Sequence, residues 1–208
     1  MGRIFLLALA LAGVSSPLSA TPLSVRVVDA SGRPVRDAVV AFSPAGPAAR
    51  PARATGRYVV SQQSLQFHPF LTVIPVGSDV SFPNLDPTKH HVYSFSAAKR
   101  FELKLFAKDQ SRTVHFDKPG VVALGCNIHD AMSAFIYVTD SAWTARTNAQ
   151  GIASFSDAPN APGRLVLWHP YLRAPGGEMQ QGVGPAQRNA SFQVRLRPPA
   201  TAMPMTDY

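Results

Sequence analysis

Leu23-Ser24-Val25-Arg26-Val27 alternates apolar and polar side chains, the period-two pattern of a half-buried strand, and short segments of this kind recur along the chain. Residues 23–43 read as two strands flanking an Asp29-x-x-Gly32 turn. From 57 to 140 the pattern predicts strands at Tyr58–Gln63, Leu71–Ile74, Asp79–Phe82, Val92–Ser96, Arg112–Phe116, Val121–Leu124 and Ser133–Val138, with turns at Pro75-Val76-Gly77 and Lys118-Pro119-Gly120. Seven short strands in about eighty residues suggest a small antiparallel sandwich or barrel. The block 141–197 opens with Thr147–Phe155 and continues through Arg164–Trp168 to a last strand, Ala190–Arg197, with residues 174–189 expected as a glycine- and glutamine-rich loop. Long helical periodicity is missing, so the expected class is all-β. Neither flank has enough strands for a two-sheet core. Residues 23–43 and 141–197 are therefore expected to pack together as a second small β-sandwich, with the central block inserted in it or joined to it.

Composition sharpens this picture at the ends. Met1-Gly2-Arg3, the apolar run Ile4–Val14 and the small-residue stretch ending in Ala20 read as a secretory signal, too short to span a bilayer that needs about 20 apolar residues. The chain is thus expected to be periplasmic or otherwise exported, with no transmembrane segment after cleavage. Pro44 to Thr55 reads as a solvated linker in which Arg50 and Arg53 are solubilising, and 198–208 as a disordered tail that carries Met203 and Met205. The formal charge of +8 loses only Arg3 with the signal, leaving +7, a balance that favours acidic partners. Nucleic acid is excluded as a partner because the basic residues are scattered and no aromatic-basic stripe accompanies them.

One cysteine, Cys126, serves a chain bound for an oxidising compartment, where it has no intrachain partner. Its neighbours are Gly125-Cys126-Asn127-Ile128-His129-Asp130-Ala131-Met132, and His90-His91 begins another strand. A thiolate, two imidazoles and a thioether are the donor set of one type 1 copper ion, with Cys and two His in a plane and Met on the long axis. The assigned ligands are His90, Cys126, His129 and Met132, with His91 the alternative to His90. Side-chain alternation puts Val122, Leu124 and Cys126 on one face of the incoming strand and Met132, Ala134, Ile136 and Val138 on one face of the returning strand. His129 then lies at the apex between them. Separately, Cys126 could be an inert buried thiol, Met132 a core filler and His129 a surface residue; the joint pattern favours copper. His68, His115 and His169 read as structural. No paired carboxylates, nucleophile elbow or phosphate loop appears, so the chain is not expected to be an enzyme.

His90-x-Val92 with Cys126-x-x-His129-x-x-Met132 resembles the blue-copper cupredoxins, and the short ligand loop is similar to that of amicyanin. Phe67-x-Pro69 and Val73-x-x-x-Gly77-x-x-Val80-x-Phe82-x-Asn84 look like the strands before the first copper histidine of plastocyanin-like proteins, and the wider chain resembles exported bacterial methylamine-utilisation-type proteins. Asp29-x-x-Gly32-x-Pro34-Val35, Ala38-Val39-Val40 and Thr147-x-x-x-Gly151 resemble carboxypeptidase-regulatory-like segments. This implies a Greek-key cupredoxin over 57–140 that mediates single-electron transfer with an acidic cytochrome or dehydrogenase. Copper delivery, or a structural module with a non-redox copper site, are the alternatives. Two departures stand out: His91 where many cupredoxins have an asparagine that ties the ligand loops, and Asp130 where amicyanin-like loops are apolar.

Overall fold

A computed structural model of the chain describes residues 22–46 and 54–198. The expected signal, the linker arginines Arg50 and Arg53, and the tail methionines Met203 and Met205 lie outside the described residues. Within them the chain is all-β. The strands are β1 (Leu23–Asp29), β2 (Val39–Pro44), β3 (Arg57–Val59), β4 (Ser61–Gln63), β5 (Gln66–His68), β6 (Leu71–Pro75), β7 (Ser78–Pro83), β8 (His90–Ser96) and β9 (Lys99–Phe106). They continue with β10 (Ser111–Phe116), β11 (Gly120–Cys126), β12 (Ser133–Thr139), β13 (Trp143–Arg146), β14 (Ile152–Phe155), β15 (Gly163–Trp168), β16 (Glu178–Val183) and β17 (Asn189–Val194).

The central strands form one sandwich. A sheet ordered β10-β7-β3 faces a five-stranded sheet ordered β6-β12-β11-β8-β9, with the β4–β5 hairpin at one end. Alternation turns Val80, Phe82, Val92, Phe116, Val122 and Ile136 inward, all fully buried in one core with Cys126 and Met132. Each such aliphatic or aromatic side chain contributes about 1.5–3 kcal/mol on burial, so the core that surrounds Cys126 and Met132 also holds the two sheets together.

The flanks build a second core from two further sheets, ordered β14-β1-β17 and β13-β2-β15-β16. Strand β1 lies between β14 and β17, and β2 between β13 and β15, so residues 23–44 supply an interior strand to each sheet. The connection is made by Asp29, whose carboxylate accepts the N–H groups of Ser31 (2.8 Å) and Arg33 (3.0 Å). The Ser31 hydroxyl is the main group that holds this carboxyl well below its usual range. The turn sends β1 and β2 into opposite sheets, which face each other across Val25, Val27, Val40 and Phe42.

The two sandwiches meet on the outer face of β6 and β12. Trp168 packs on Phe135 (ring centroids 5.7 Å apart) and Tyr137 (5.6 Å), with Val39 and Leu71 completing the cluster. Burial there pushes the Tyr137 phenol up to about 12. Arg146 donates from Nη1 to the Leu71 carbonyl at 3.0 Å, which anchors β13 of one sandwich to β6 of the other.

Three expectations are corrected. Residues 174–189 are not all loop: β16 pairs along its whole length with β15 as a sheet edge, where its polar residues face solvent. Lys99–Phe106, not expected as a strand, is β9, and the predicted Tyr58–Gln63 strand breaks at Val60 into β3 and β4.

Candidate metal centre

Strand β8 brings alternate residues to opposite faces: His90, Val92 and Ser94 point inward at 1% exposure or less, while His91, Tyr93 and Phe95 line the outside. Cys126 ends β11 opposite Val92, so His90, two residues back on the same inward face, comes beside the thiol at the end of the sandwich. An irregularity in the β8–β9 pairing between His90 and Val92 brings Phe106, rather than Leu105, inward beside His90.

His129 completes the group from the loop between β11 and β12. Its Nδ1 lies 3.6 Å from Cys126 Sγ, and His90 Nδ1 lies 3.7 Å from the same sulfur. The three donor atoms fall within 4.8 Å of one another. The Met132 N–H donates to the His129 carbonyl at 2.9 Å and closes the loop, which returns the Met132 side chain to the buried core shared with Cys126. The Asn127 N–H donates to the His91 carbonyl at 3.2 Å, so backbone rather than an asparagine side chain ties the two ligand segments together.

These positions suit a metal. With metal–nitrogen and metal–sulfur bonds of about 2.0 and 2.3 Å, a trigonal or tetrahedral centre separates N from S by roughly 3.5–3.7 Å. Both observed N···S separations match. A thioether three residues after His129, buried with the thiol, suits copper; zinc sites draw instead on thiolate, imidazole and carboxylate.

The histidine nearest the core is held from behind. His90 Nε2 lies 2.9 Å from Asp86 Oδ2, and the ring is wholly buried. A carboxylate there accepts the hydrogen bond from the proton on Nε2, which makes Nδ1, beside the thiol, the nitrogen available to a metal. Asp86 in turn accepts the N–H groups of Ser64 (2.6 Å) and Leu65 (3.0 Å). These residues have φ of +55° and +54°, the geometry of a type I′ turn usually built from Asn-Gly. Desolvation raises the Asp86 carboxyl, but the hydrogen bonds from Leu65, His90 and Ser64 outweigh it and hold it below its usual value. Asn84, also buried, accepts the Asp86 N–H and donates to the Thr88 and Phe106 carbonyls, which sets the path of the 84–90 loop.

Of the sequence-predicted ligands, the structure gathers His90, Cys126 and His129 and buries Met132 in the adjoining core. His91 turns outward to Glu102 (3.0 Å) and does not join the group. His115 pairs with Asp79, and His169 accepts the Tyr171 N–H, both away from the centre. Sequence reasoning missed Asp86: its spacing of four from His90 is visible, but His90 opens a strand, where a spacing of four across a loop carries no contact meaning. His129 is half-buried, beside exposed Ile128 and Asp130, and is the ligand candidate open toward solvent.

No protein-family model matches the chain, and no curated protein does. Several solved structures are similar over part of it. A copper-containing nitrite reductase of Thermus scotoductus SA-01 matches 47% of this chain and 25% of its own at 23% identity (TM-score 0.39). A reduced amicyanin variant matches 48% of this chain and 98% of its own at 20% identity (TM-score 0.38). A purple cupredoxin of Nitrosopumilus maritimus matches 40% and 99% at 19% identity (TM-score 0.35). The chain spans about a quarter of the length of the nitrite reductase.

Proposed function

We propose that this chain is an exported protein that binds one type 1 copper ion through His90, Cys126, His129 and Met132 and passes single electrons. The observation that carries the reading is the convergence of His90 Nδ1 and His129 Nδ1 on the Cys126 sulfur, at 3.7 and 3.6 Å, at the end of a packed β-sandwich. Bound there, copper supplies a Cu(I)/Cu(II) couple. The protein's part is to hold the donors still: the 0%-exposed His90 ring is clamped by Asp86, Cys126 sits on a paired strand, and Met132 is fixed in the core. Donors that keep their positions in both oxidation states leave little to reorganise during exchange. His129 is the route between centre and surface, since the other three donors are buried. Among the described residues no helix is long and apolar enough to cross a membrane.

Potentiometric titration of the copper-loaded protein tests this. A reversible one-electron wave, with copper retained against a competing chelator in both oxidation states, is the expected result. Loss of the metal on reduction would instead make the chain a copper-delivery protein, and a copper ion that cannot be cycled would leave it a structural module.

A further inference from the structure

After β15 the chain passes through His169-Pro170-Tyr171-Leu172-Arg173 and there meets the segment that follows β17. Leu172 and Leu196 form an antiparallel bridge, with the Arg173 N–H on the Arg195 carbonyl and the Arg197 N–H on the Tyr171 carbonyl, each 2.8 Å. Both leucines pack toward the core. Arg173 and Arg195 are therefore opposite each other on the outward face, and Arg197, two residues on, shares that face. All three are exposed and none forms an ion pair among the described residues. Across a groove of ≈ 590 Å³ stands Arg33, whose partner Asp29 is also the wall's one acidic residue. Four arginines against one aspartate leave the groove with a charge of +3. Like charges placed opposite each other across a strand pair weaken it, so the fold carries a local cost that an anionic ligand would relieve.

The segment that leads into the groove touches the central sandwich at the end from which β6 and β12 start. Strand β12 starts just after Met132, and β6 runs parallel to it from Leu71, opposite Phe135. Phe70, just before β6, stacks on Tyr171 with ring centroids 6.2 Å apart and an interplanar angle of 22°. Tyr171 is bonded directly to the arginine-bearing segment.

We propose that this groove docks the carboxylate-rich face of an acidic partner protein and so seats that partner over the end that carries His129. The inference rests on the electron-transfer reading above and locates the contact which that reading requires. Guanidinium forks suit carboxylates bidentately. A lipid surface calls for apolar anchors beside the charges, and the exposed large apolar side chains of the described residues, Phe95, Leu105 and Ile128 among them, lie outside the groove.

The test uses the full-length exported chain, copper-loaded, with a fluorescent ten-residue polyglutamate peptide as probe and phosphatidylglycerol vesicles in parallel. Charge reversal in R173E/R195E/R197E should weaken peptide binding at least tenfold, with the melting temperature and tryptophan emission unchanged. The matching lysine triple variant, which keeps charge but loses the forks, should bind a few-fold more weakly than the wild type. The Cys126→Ser protein should bind the peptide as the wild type does. Unchanged affinity after charge reversal overturns the proposal, and so does binding of vesicles at lower concentrations than peptide. Arginine-dependent peptide binding in a protein whose copper cannot be cycled would sink the electron-transfer reading and leave the docking surface standing.

Discussion

Asp86 holds His90 by its Nε2 at 2.9 Å while the same carboxylate clamps the Ser64–Leu65 turn, so a positive-φ turn and a candidate metal ligand share one buried anchor. Removing a carboxylate behind a ligating histidine commonly costs 10–100-fold in metal affinity. Asp86→Asn, which can still accept a hydrogen bond from Nε2–H, should lower copper affinity about tenfold. Asp86→Ala should cost more and also destabilise the metal-free protein by roughly 1–3 kcal/mol, because buried donors lose their acceptor. Chelator competition and denaturant unfolding measure the two effects; wild-type affinity in the alanine variant would contradict the assigned role.

The N-terminal strands reach across the chain, which makes a second prediction specific. Gly151 has φ of +71°, and a Cβ there would stand 2.5 Å from the Val27 carbonyl oxygen. Gly151→Ala should therefore loosen the seam between β1 and the C-terminal strands, and deletion of 23–43 should do so more severely. Both tryptophans, Trp143 and Trp168, belong to that half, so their emission reports it, while copper absorption reports the other. The account expects the emission to change with the copper signal largely kept. The reverse pattern would refute the proposal that 23–43 and 141–197 fold as one unit around an inserted copper domain.

Much of the central half was legible because alternation there has a single cause. Val122, Leu124 and Cys126, and then Met132, Ala134, Ile136 and Val138, face one core, and every inward position expected from period two is buried. The grouping of His90, Cys126 and His129 was likewise readable, because Cys126 and His129 are three residues apart and His90 opens a strand. What escaped was set by nonlocal pairing. Phe101, Leu103 and Leu105 alternate, yet the irregular pairing with β8 leaves Leu105 half-exposed and buries Phe106. Strand β16 exists because β15 offers it an edge, and its own polar residues give no hint of that. The Asp86–His90 contact depends on a loop path that Asn84 sets through three hydrogen bonds.

Acid should weaken the junction near the arginine groove. His169 is buried and accepts the Tyr171 N–H at Nδ1. Burial, partly opposed by a hydrogen bond with the Arg36 backbone and by Asp37, lowers its pKa below the ordinary 6.5. A depressed pKa means that the unfolded chain takes up the proton first, so the stabilisation is present above pH 6.5 and is lost as pH falls through the folded value. The urea midpoint of the wild type should fall from pH 7.5 to pH 5 by more than that of His169→Gln. Equal falls in the two proteins would contradict this.

Electron exchange with an acidic haem protein should slow as salt rises, since the Debye length shrinks to about 10 Å at 0.1 M. Asp130, exposed beside His129, opposes such a partner locally. Asp130→Asn should then speed exchange at low salt, as followed by stopped-flow absorbance. A rate that is flat or rising with salt would reject electrostatic steering.

The most direct test of the central claim is the visible absorption spectrum of the copper(II)-loaded protein. If Cys126 binds as a thiolate in the plane of His90 and His129, with Met132 as a weak axial ligand, an intense thiolate-to-copper band appears. Cys126→Ser abolishes the band, and Met132→Gln keeps it with a shifted potential. A copper-loaded wild type without that band would contradict the type 1 assignment.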